Sequence, residues 1–149
     1  MEILYQGTKL DLVDPKSVEL RPVFVWLERN NNEIGVSTDE ANGTEIRVDV
    51  IDLADIRQGC RTDAFNNFIA HSPNFKDKSK VEKCFSIHYY KDDGNENVSL
   101  VAHTKEIAEL WTSHVRTMID EKLAALSHSS VNPEYWIKHI FRKTTNSLN

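Results

Sequence analysis

One amphipathic stretch, Thr104–Leu126, constrains the fold of this chain more than any other feature. Its apolar stripe is formed by side chains that recur every four residues: Ile107, Trp111, Val115 and Ile119. Charged residues occupy the remaining surface, and the threonine at the start can cap a helix by accepting a free amide of the first turn. The pattern predicts a helix whose one-sided stripe, with a central tryptophan, covers the mouth of a sheet or barrel. A plain core-facing helix would give the same pattern.

Nearly everything before this helix is strand-like. The predicted strands are Tyr5–Val13, Leu20–Glu28, Glu33–Ser37, Thr44–Val50, Ile51–Gly59, Cys84–Tyr90 and Asn97–Ala102. Short turns join most of them, so an antiparallel meander is the natural product. The meander is interrupted by a short helix predicted over Asp63–Ala70, capped by Thr62 or Asp63, and then by a polar loop over His71–Lys83.

Composition limits the class of protein. A chain of 149 residues is long enough for one domain with a sizeable core. The net charge is −5, and residues 1–60 hold six Lys/Arg against twelve Asp/Glu, so no concentrated basic face for nucleic acid is expected. The sequence contains no apolar run that could span a membrane and no signal peptide. Cys60 and Cys84 form no metal or redox motif and are interpreted as reduced, buried thiols.

Residue patterns for chemistry are absent from the sequence. The six histidines are scattered without metal-ligand spacing, and the five glycines stand alone rather than forming a phosphate-binding loop. No nucleophile elbow or kinase signature is present. We therefore expect no catalytic residue, no metal site and no cofactor in this chain, and we do not expect it to be an enzyme by itself.

Three segments resemble one family. Residues 50–63 read VIDLADIRQGCRTD, residues 84–87 read CFSI and residues 108–111 read AELW. These segments are similar to the pleckstrin homology domain of phosphoinositide-specific phospholipase C, which carries an I-x-[DE]-[IL]-x-x-[IV]-R-x-G-x-x-[TS] stretch before a short helix. The resemblance covers roughly residues 44–126 and is weaker over residues 1–43.

The resemblance implies a mainly β fold with a C-terminal α-helix. In the pleckstrin homology fold, two nearly orthogonal sheets form a seven-stranded, antiparallel, partly open barrel, and one helix caps it. A short inserted helix and an extra helix at the C-terminus would complete the chain. The predicted domains are accordingly a pleckstrin homology domain over residues 1–126, and a linker with the first EF-hand-like helix, incomplete, over residues 127–149.

The C-terminal segment has its own apolar stripe. Asn132-Pro133 is a helix-start signal, and Trp136, Ile140 and Phe141 follow on one face. The resemblance implies the entering helix of an EF-hand region, with these three side chains as interdomain contacts. No calcium-loop pattern is present. A helix that folds back on the domain is an equally good interpretation.

The family's lipid site implies a set of candidate residues near the N-terminus. Lys9, Lys16 and Arg21 fall where the family places phosphate-binding cations. Acidic residues lie between them and cancel much of their field, so weak phosphoinositide selectivity is expected. A second basic feature is the loop that carries Lys76, Lys78 and Lys80, which predicts weak, salt-sensitive attraction to anionic lipid.

The resemblance implies a regulatory, non-catalytic module in intracellular signalling. Its partners would be anionic membrane lipid, bound weakly, a small GTPase or a heterotrimeric G-protein subunit, and the remaining domains of a parent phospholipase. The expected location is cytoplasmic, peripheral at the inner face of the plasma membrane. Two alternatives stay open: a high-affinity headgroup-binding domain, and an intramolecular scaffold packed on the EF-hand and catalytic domains.

Overall fold

The computed structural model describes residues 2–28, 32–38, 45–92 and 94–127. The strands are β1 (Thr8–Val13), β2 (Leu20–Glu28), β3 (Glu33–Thr38), β4 (Glu45–Asp49), β5 (Leu53–Gln58), β6 (Cys84–Lys91) and β7 (Gly94–Val101). The helices are α1 (Glu2–Gln6), α2 (Asp63–His71), α3 (Lys78–Val81) and α4 (Lys105–Ser127), with 3₁₀ turns at Val50–Asp52 and Pro73–Lys76. No helix in these ranges is long and apolar enough to cross a bilayer.

The strands form one antiparallel sheet in the order β4-β3-β2-β1-β7-β6-β5. Within the described residues β4 and β5 do not pair with each other, so the sheet curves without closing. The predicted pleckstrin homology fold is confirmed. The two predicted sheets are joined by hydrogen bonds between β1 and β7, but over only two residue pairs, Asp11–Val101 and Leu12–Leu100.

Helix α4 covers the open part of the sheet and completes the main core. Trp111 and Val115 are fully buried, and Ile107 is partly buried at the edge of the same cluster. Thr104 caps the helix, because its hydroxyl oxygen accepts a hydrogen bond from the Ile107 amide at 3.2 Å. Burial of each large side chain contributes roughly 1.5–3 kcal/mol, so this face holds the helix in place.

A second, smaller core lies on the outer face of the sheet, under α2. Phe65 and Phe68 of that helix pack with Val13 of β1. Thr62 caps the helix as predicted, since its hydroxyl accepts the Phe65 amide at 3.2 Å, and the same hydroxyl is 2.6 Å from that of Ser99 on β7. The inserted helix is thus fixed to the sheet at its first residue.

The predicted strand over Tyr5–Val13 was wrong at its start. Residues Glu2–Gln6 form the short helix α1, which lies against β2, and the strand begins only at Thr8. Leu4 is fully buried in the main core, and Gly7, with a φ of 105°, provides the left-handed residue that separates helix from strand. Tertiary burial of one leucine therefore overrides the local alternation.

Two further segments are more ordered than the sequence indicated. The predicted loop His71–Lys83 contains a 3₁₀ turn and helix α3, which begins where the Asp77 carboxylate accepts the Ser79 amide at 3.1 Å. The predicted strand Ile51–Gly59 was wrong at its start: Ile51 and Asp52 belong to a 3₁₀ turn, because the Asp49 carboxylate accepts a hydrogen bond from the Ile51 amide at 3.0 Å, and β5 begins at Leu53. In both cases a single aspartate side chain forms a local turn that periodicity does not register.

Candidate functional site

The three residues predicted for a lipid site do not converge. Lys9 on β1 lies opposite Phe24 on β2, whereas Arg21 lies opposite Leu12. Directly paired residues share a face of an antiparallel sheet, so Lys9 and Arg21 belong to opposite faces. Lys16 lies between them in the exposed turn from β1 to β2. No common surface collects these three cations.

Asp14 neutralises the arginine of this set. Its carboxylate is 2.7 Å from Nε of Arg21 and also accepts the amides of Lys16, at 2.8 Å, and Ser17, at 3.3 Å. The hydrogen bond from the Lys16 amide, with that from Ser17 and the charge of Arg21, holds the pKa of Asp14 below its usual value. Arg21 is therefore already engaged by an ionised partner that the turn holds in place.

The lysine segment, residues 76–83, is exposed at its cations and anchored by an aromatic side chain. Phe75 is buried and packs edge-to-face on Phe68, with ring centroids 4.9 Å apart. Lys76, Lys78 and Lys80 extend from this anchor towards solvent, and the ammonium of Lys80 lies 6.0 Å from the Phe75 ring centroid. These three predicted residues are brought together on one exposed segment.

A lysine from α4 lies beside this segment, and sequence reasoning missed it. Lys105 lines a recess of about 500 Å³ together with Lys76 and Lys78, over a floor that includes Gly59 and Ala108. Lys105 itself is 3.8 Å from Glu109 on the next helical turn. No local sequence signal could have placed the start of α4 beside the lysine segment, because the two meet only through the tertiary fold.

A second recess, the arginine groove, runs between β5 and α4. We define it by Arg57, Arg61 and Arg116, which line a volume of about 680 Å³ with Gln58 and Glu109. The same glutamine and glutamate also line the lysine recess, so the two recesses are continuous. In the sequence, Arg57 and Arg61 belong to the segment of residues 50–63 that carries the family resemblance, and Arg116 lies on the charged surface of the predicted helix.

Asp55 holds two of these arginines in place. Its carboxylate accepts Nε of Arg57 at 3.0 Å and Nη1 of Arg116 at 3.1 Å, while Nη2 of Arg116 donates to the Ile56 carbonyl. Partial burial opposes ionisation of Asp55, but the hydrogen bonds from Arg57 and the Ile56 amide and the charge of Arg116 outweigh it and lower the pKa of Asp55. The carboxylate is therefore ionised at neutral pH and fixes strand and helix side chains relative to each other.

Cys60 and Cys84 lie side by side, which their separation in the sequence did not indicate. The amide of Gly59 donates to the Cys84 carbonyl at 2.8 Å, and the Cys84 thiol donates to the Lys80 carbonyl at 3.3 Å. The neighbouring Cys84 thiol lowers the pKa of Cys60, and the nearness of Cys60 together with burial raises the pKa of Cys84. Both cysteines are free, Cys84 buried and Cys60 partly exposed.

The described residues contain no cluster of three or more His, Cys, Asp or Glu side chains that could hold a metal ion. Neither recess contains a histidine. The charged side chains of the two recesses can bind anions, and no group of side chains there has the geometry of a nucleophile with an adjacent base.

Solved structures of two other proteins are similar to this fold. Neither a protein-family model nor a curated protein matches the sequence. PLC21 from S. officinalis aligns with a TM-score of 0.61 at 17% identity, over 85% of this chain and 17% of its own. PLC21 from L. pealei aligns with a TM-score of 0.63 at 18% identity, over 85% of this chain and 16% of its own. The chain shares its fold with the aligned part of PLC21.

The likeness to PLC21 establishes the fold of this chain but not the residues of its functional site. The chain corresponds to only a small part of each PLC21 chain. The predicted interdomain contacts Trp136, Ile140 and Phe141 lie in residues 128–149, outside the described residues, and stay predictions. The described candidates are therefore the lysine segment and the arginine groove.

Proposed function

We propose that the chain is a non-catalytic regulatory module of a phosphoinositide-specific phospholipase C that attaches weakly to anionic membranes. Support comes from the fold shared with PLC21 and from the sequence resemblance over residues 44–126. Since the chain corresponds to 16–17% of the PLC21 chains, the reaction would be carried out by the rest of the parent protein. Such a module acts from the cytoplasmic side, at the inner face of the plasma membrane.

The engagement of Arg21 by Asp14 is the observation that carries this choice over a high-affinity headgroup site. Stereospecific binding of clustered phosphates needs several cations on one surface. Here one candidate is paired at 2.7 Å and Lys9 belongs to the opposite face. The exposed lysine segment remains, and each lysine near an anionic surface contributes about 1 kcal/mol. Attachment is accordingly weak, salt-sensitive and indifferent to headgroup stereochemistry.

A second candidate function is association with a small GTPase or a heterotrimeric G-protein subunit. Leu20 and Phe24 alternate on one face of β2 and are 37% and 39% exposed, beside the exposed Lys9. Adjacent exposed apolar side chains on a strand are a common feature of protein-binding surfaces. Substitution of Phe24 by Ser would abolish such an association and leave vesicle binding unchanged, which separates the two functions.

The membrane proposal is tested by sedimentation of the full chain with vesicles. Phosphatidylcholine vesicles are compared with vesicles that also contain phosphatidylserine or phosphatidylinositol bisphosphate, at low and physiological salt. Retention should follow total anionic charge and fall with salt. Lys76→Ala, Lys78→Ala and Lys80→Ala combined should lower the partition coefficient roughly a hundredfold, at about 1 kcal/mol per lysine.

The matched control removes the same charge elsewhere, through Lys9→Ala, Lys16→Ala and Lys91→Ala combined. It should change retention by less than about twofold. Selective retention on phosphatidylinositol bisphosphate that Arg21→Ala abolishes would contradict the proposal and favour the high-affinity headgroup site. Equal losses in the two triple variants would show that the lysine segment has no special role.

A further inference from the structure

The arginine groove is not used by the membrane proposal, and its charges are arranged differently from those of the lysine segment. Two guanidinium groups, those of Arg57 and Arg116, are directed along the wall of the groove towards Asp55. Side chains held in this way do not extend together towards a flat surface. Their remaining N–H groups can donate hydrogen bonds to a ligand inside the recess.

Arg61 is the arginine of the groove whose charge is left to attract an anion. It is exposed at the end of the groove, just after β5, and makes no ion pair within the described ranges. Its neighbours Arg57 and Arg116 are already fixed by Asp55, so an incoming anion meets donors whose positions are set in advance. Arginine is suited to this role because its planar fork matches a carboxylate with two parallel hydrogen bonds.

The groove is also a local reversal of charge. The chain as a whole carries −5, yet three arginines face only Asp55 and Glu109 in this recess. Beyond Gln58 the surface continues into the recess of Lys76, Lys78 and Lys105, which Glu82 and Glu109 also line, so the cations still outnumber the carboxylates there. An acidic ligand would be repelled by most of the protein and attracted to this strip.

We propose that the arginine groove binds an acidic, extended peptide segment of a partner protein. The recess is walled by β5 and α4, and Gln58 and Ser113 line it with side chains that can meet peptide N–H and C=O groups. Asp55 and Glu109 lie within the groove and would repel a surface of uniform negative charge. A peptide whose carboxylates are spaced along its chain can avoid them and still reach the arginines. The peptide proposal depends on Arg57, Arg61 and Arg116, whereas membrane attachment depends on the lysine segment.

Fluorescence anisotropy tests the groove directly. The probe is a fluorescein-labelled peptide of alternating glutamate and alanine, titrated with the full chain at low and physiological salt, and the reference is the same peptide with glutamine in place of glutamate. The glutamate peptide should bind and the glutamine peptide should not. Arg57→Gln and Arg61→Gln should each weaken binding about tenfold, the effect of losing one charge-assisted hydrogen-bond pair.

Lys91→Gln is the matched control. It removes one positive charge from the exposed end of β6, away from the groove, and should leave peptide affinity unchanged within about twofold. Circular dichroism and the melting temperature of each variant establish that the fold is retained. Equal weakening by Lys91→Gln, or no binding of the glutamate peptide at low salt, would overturn the proposal.

The vesicle assay separates this proposal from the previous one. If Arg57→Gln and Arg61→Gln reduce vesicle retention and leave peptide binding intact, the groove is a membrane site and the peptide proposal is wrong. A chain that binds the peptide but no vesicles contradicts only the proposed membrane attachment. A chain that binds vesicles but no peptide contradicts only the groove.

Discussion

The turn between β1 and β2 and the arginine groove contain the same kinds of residue and reach opposite results. In the turn, one aspartate, Asp14, takes one arginine and two backbone amides, which leaves only the exposed ammonium of Lys16. In the groove, Asp55 takes two arginines, and Arg61 lies beside them without an ion pair among the described residues. The number of counter-charges per cation, more than the number of cations, decides which region can bind an anion.

The two regions also differ in how they are built. The turn is local, since its contacts lie within eight residues of one another. The groove joins residues 61 positions apart, from Asp55 to Arg116, so it exists only when α4 is in place. A disturbance of the helix should therefore remove the groove and leave the turn intact.

The largest expected effect comes from removing the centre of the helix face. Trp111→Ala should lower the free energy of unfolding by about 3–5 kcal/mol, the usual cost of a large cavity at a fully buried aromatic residue. Urea unfolding followed by circular dichroism measures this. Trp111→Phe is the matched variant, and it should cost much less, because the indole Nε1 is buried without a hydrogen-bond partner among the described residues. Equal losses in the two variants would contradict this account of the cap.

The next largest effect is a pH dependence of the free energy of unfolding, which arises in the helix that forms one wall of the groove. Lys122 of α4 is 6% exposed and donates to the Ile51 and Leu53 carbonyls, and burial lowers its pKa from 10.5 to about 8. Between pH 8 and 10.5 the unfolded chain binds the proton that the folded chain has released, so stability rises with pH.

The rise from this one group should reach about 3–3.5 kcal/mol, at 1.36 kcal/mol per pKa unit. Denaturant unfolding at a series of pH values measures it, with Lys122→Met as the comparison. The difference in unfolding free energy between the two proteins should change across this range and be constant below pH 7. A constant difference throughout would show that Lys122 titrates normally in the folded state.

A smaller effect compares the two aspartates directly. Asp55→Asn should lower the free energy of unfolding by about 1 kcal/mol, because both Arg57 and Arg116 lose their ionised partner and the link between β5 and α4 weakens. Thermal or urea unfolding provides the measurement. If Asp55→Asn lowers the free energy of unfolding no more than Asp14→Asn does, an aspartate paired with two arginines is no more stabilising than one paired with a single arginine.

The smallest effect on stability, and an informative one for binding, belongs to the turn. Asp14→Asn should change the free energy of unfolding by less than about 0.5 kcal/mol, as is usual for an exposed pair. It releases Arg21, so retention on anionic vesicles should rise at low salt, but by less than about twofold, because the turn lies outside the lysine segment. Sedimentation measures the gain, and the double variant with Arg21→Ala should reverse it. No gain would mean that Arg21 is not restrained by this pair.

Local patterns predicted the elements that are held together by local interactions. Helix α4 and its cap Thr104, and helix α2 with Thr62, follow from periodicity and hydroxyl caps that act within four residues. Helix α1 was missed because Leu4 is stabilised by tertiary burial, and five residues carry too little periodicity to reveal a helix.

The candidate site was predicted only in part, and the reason is again distance along the chain. The lysine segment is contiguous, so its three cations could be grouped from the sequence. That Lys9 and Arg21 belong to different faces depends on strand register, which Lys9–Phe24 and Leu12–Arg21 pairing fixes only in the folded sheet. The groove depends on contacts between β5 and α4, which no local pattern encodes.

The bonds from Arg116 to Asp55 and to the Ile56 carbonyl make the capping helix one wall of the groove. Occupancy of the groove and docking of the helix are consequently a single linked equilibrium. An acidic partner that binds only the folded chain would stabilise the docked helix and raise the melting temperature in proportion to the logarithm of the partner's concentration. Heat resistance of the domain would then report how much of the partner is present.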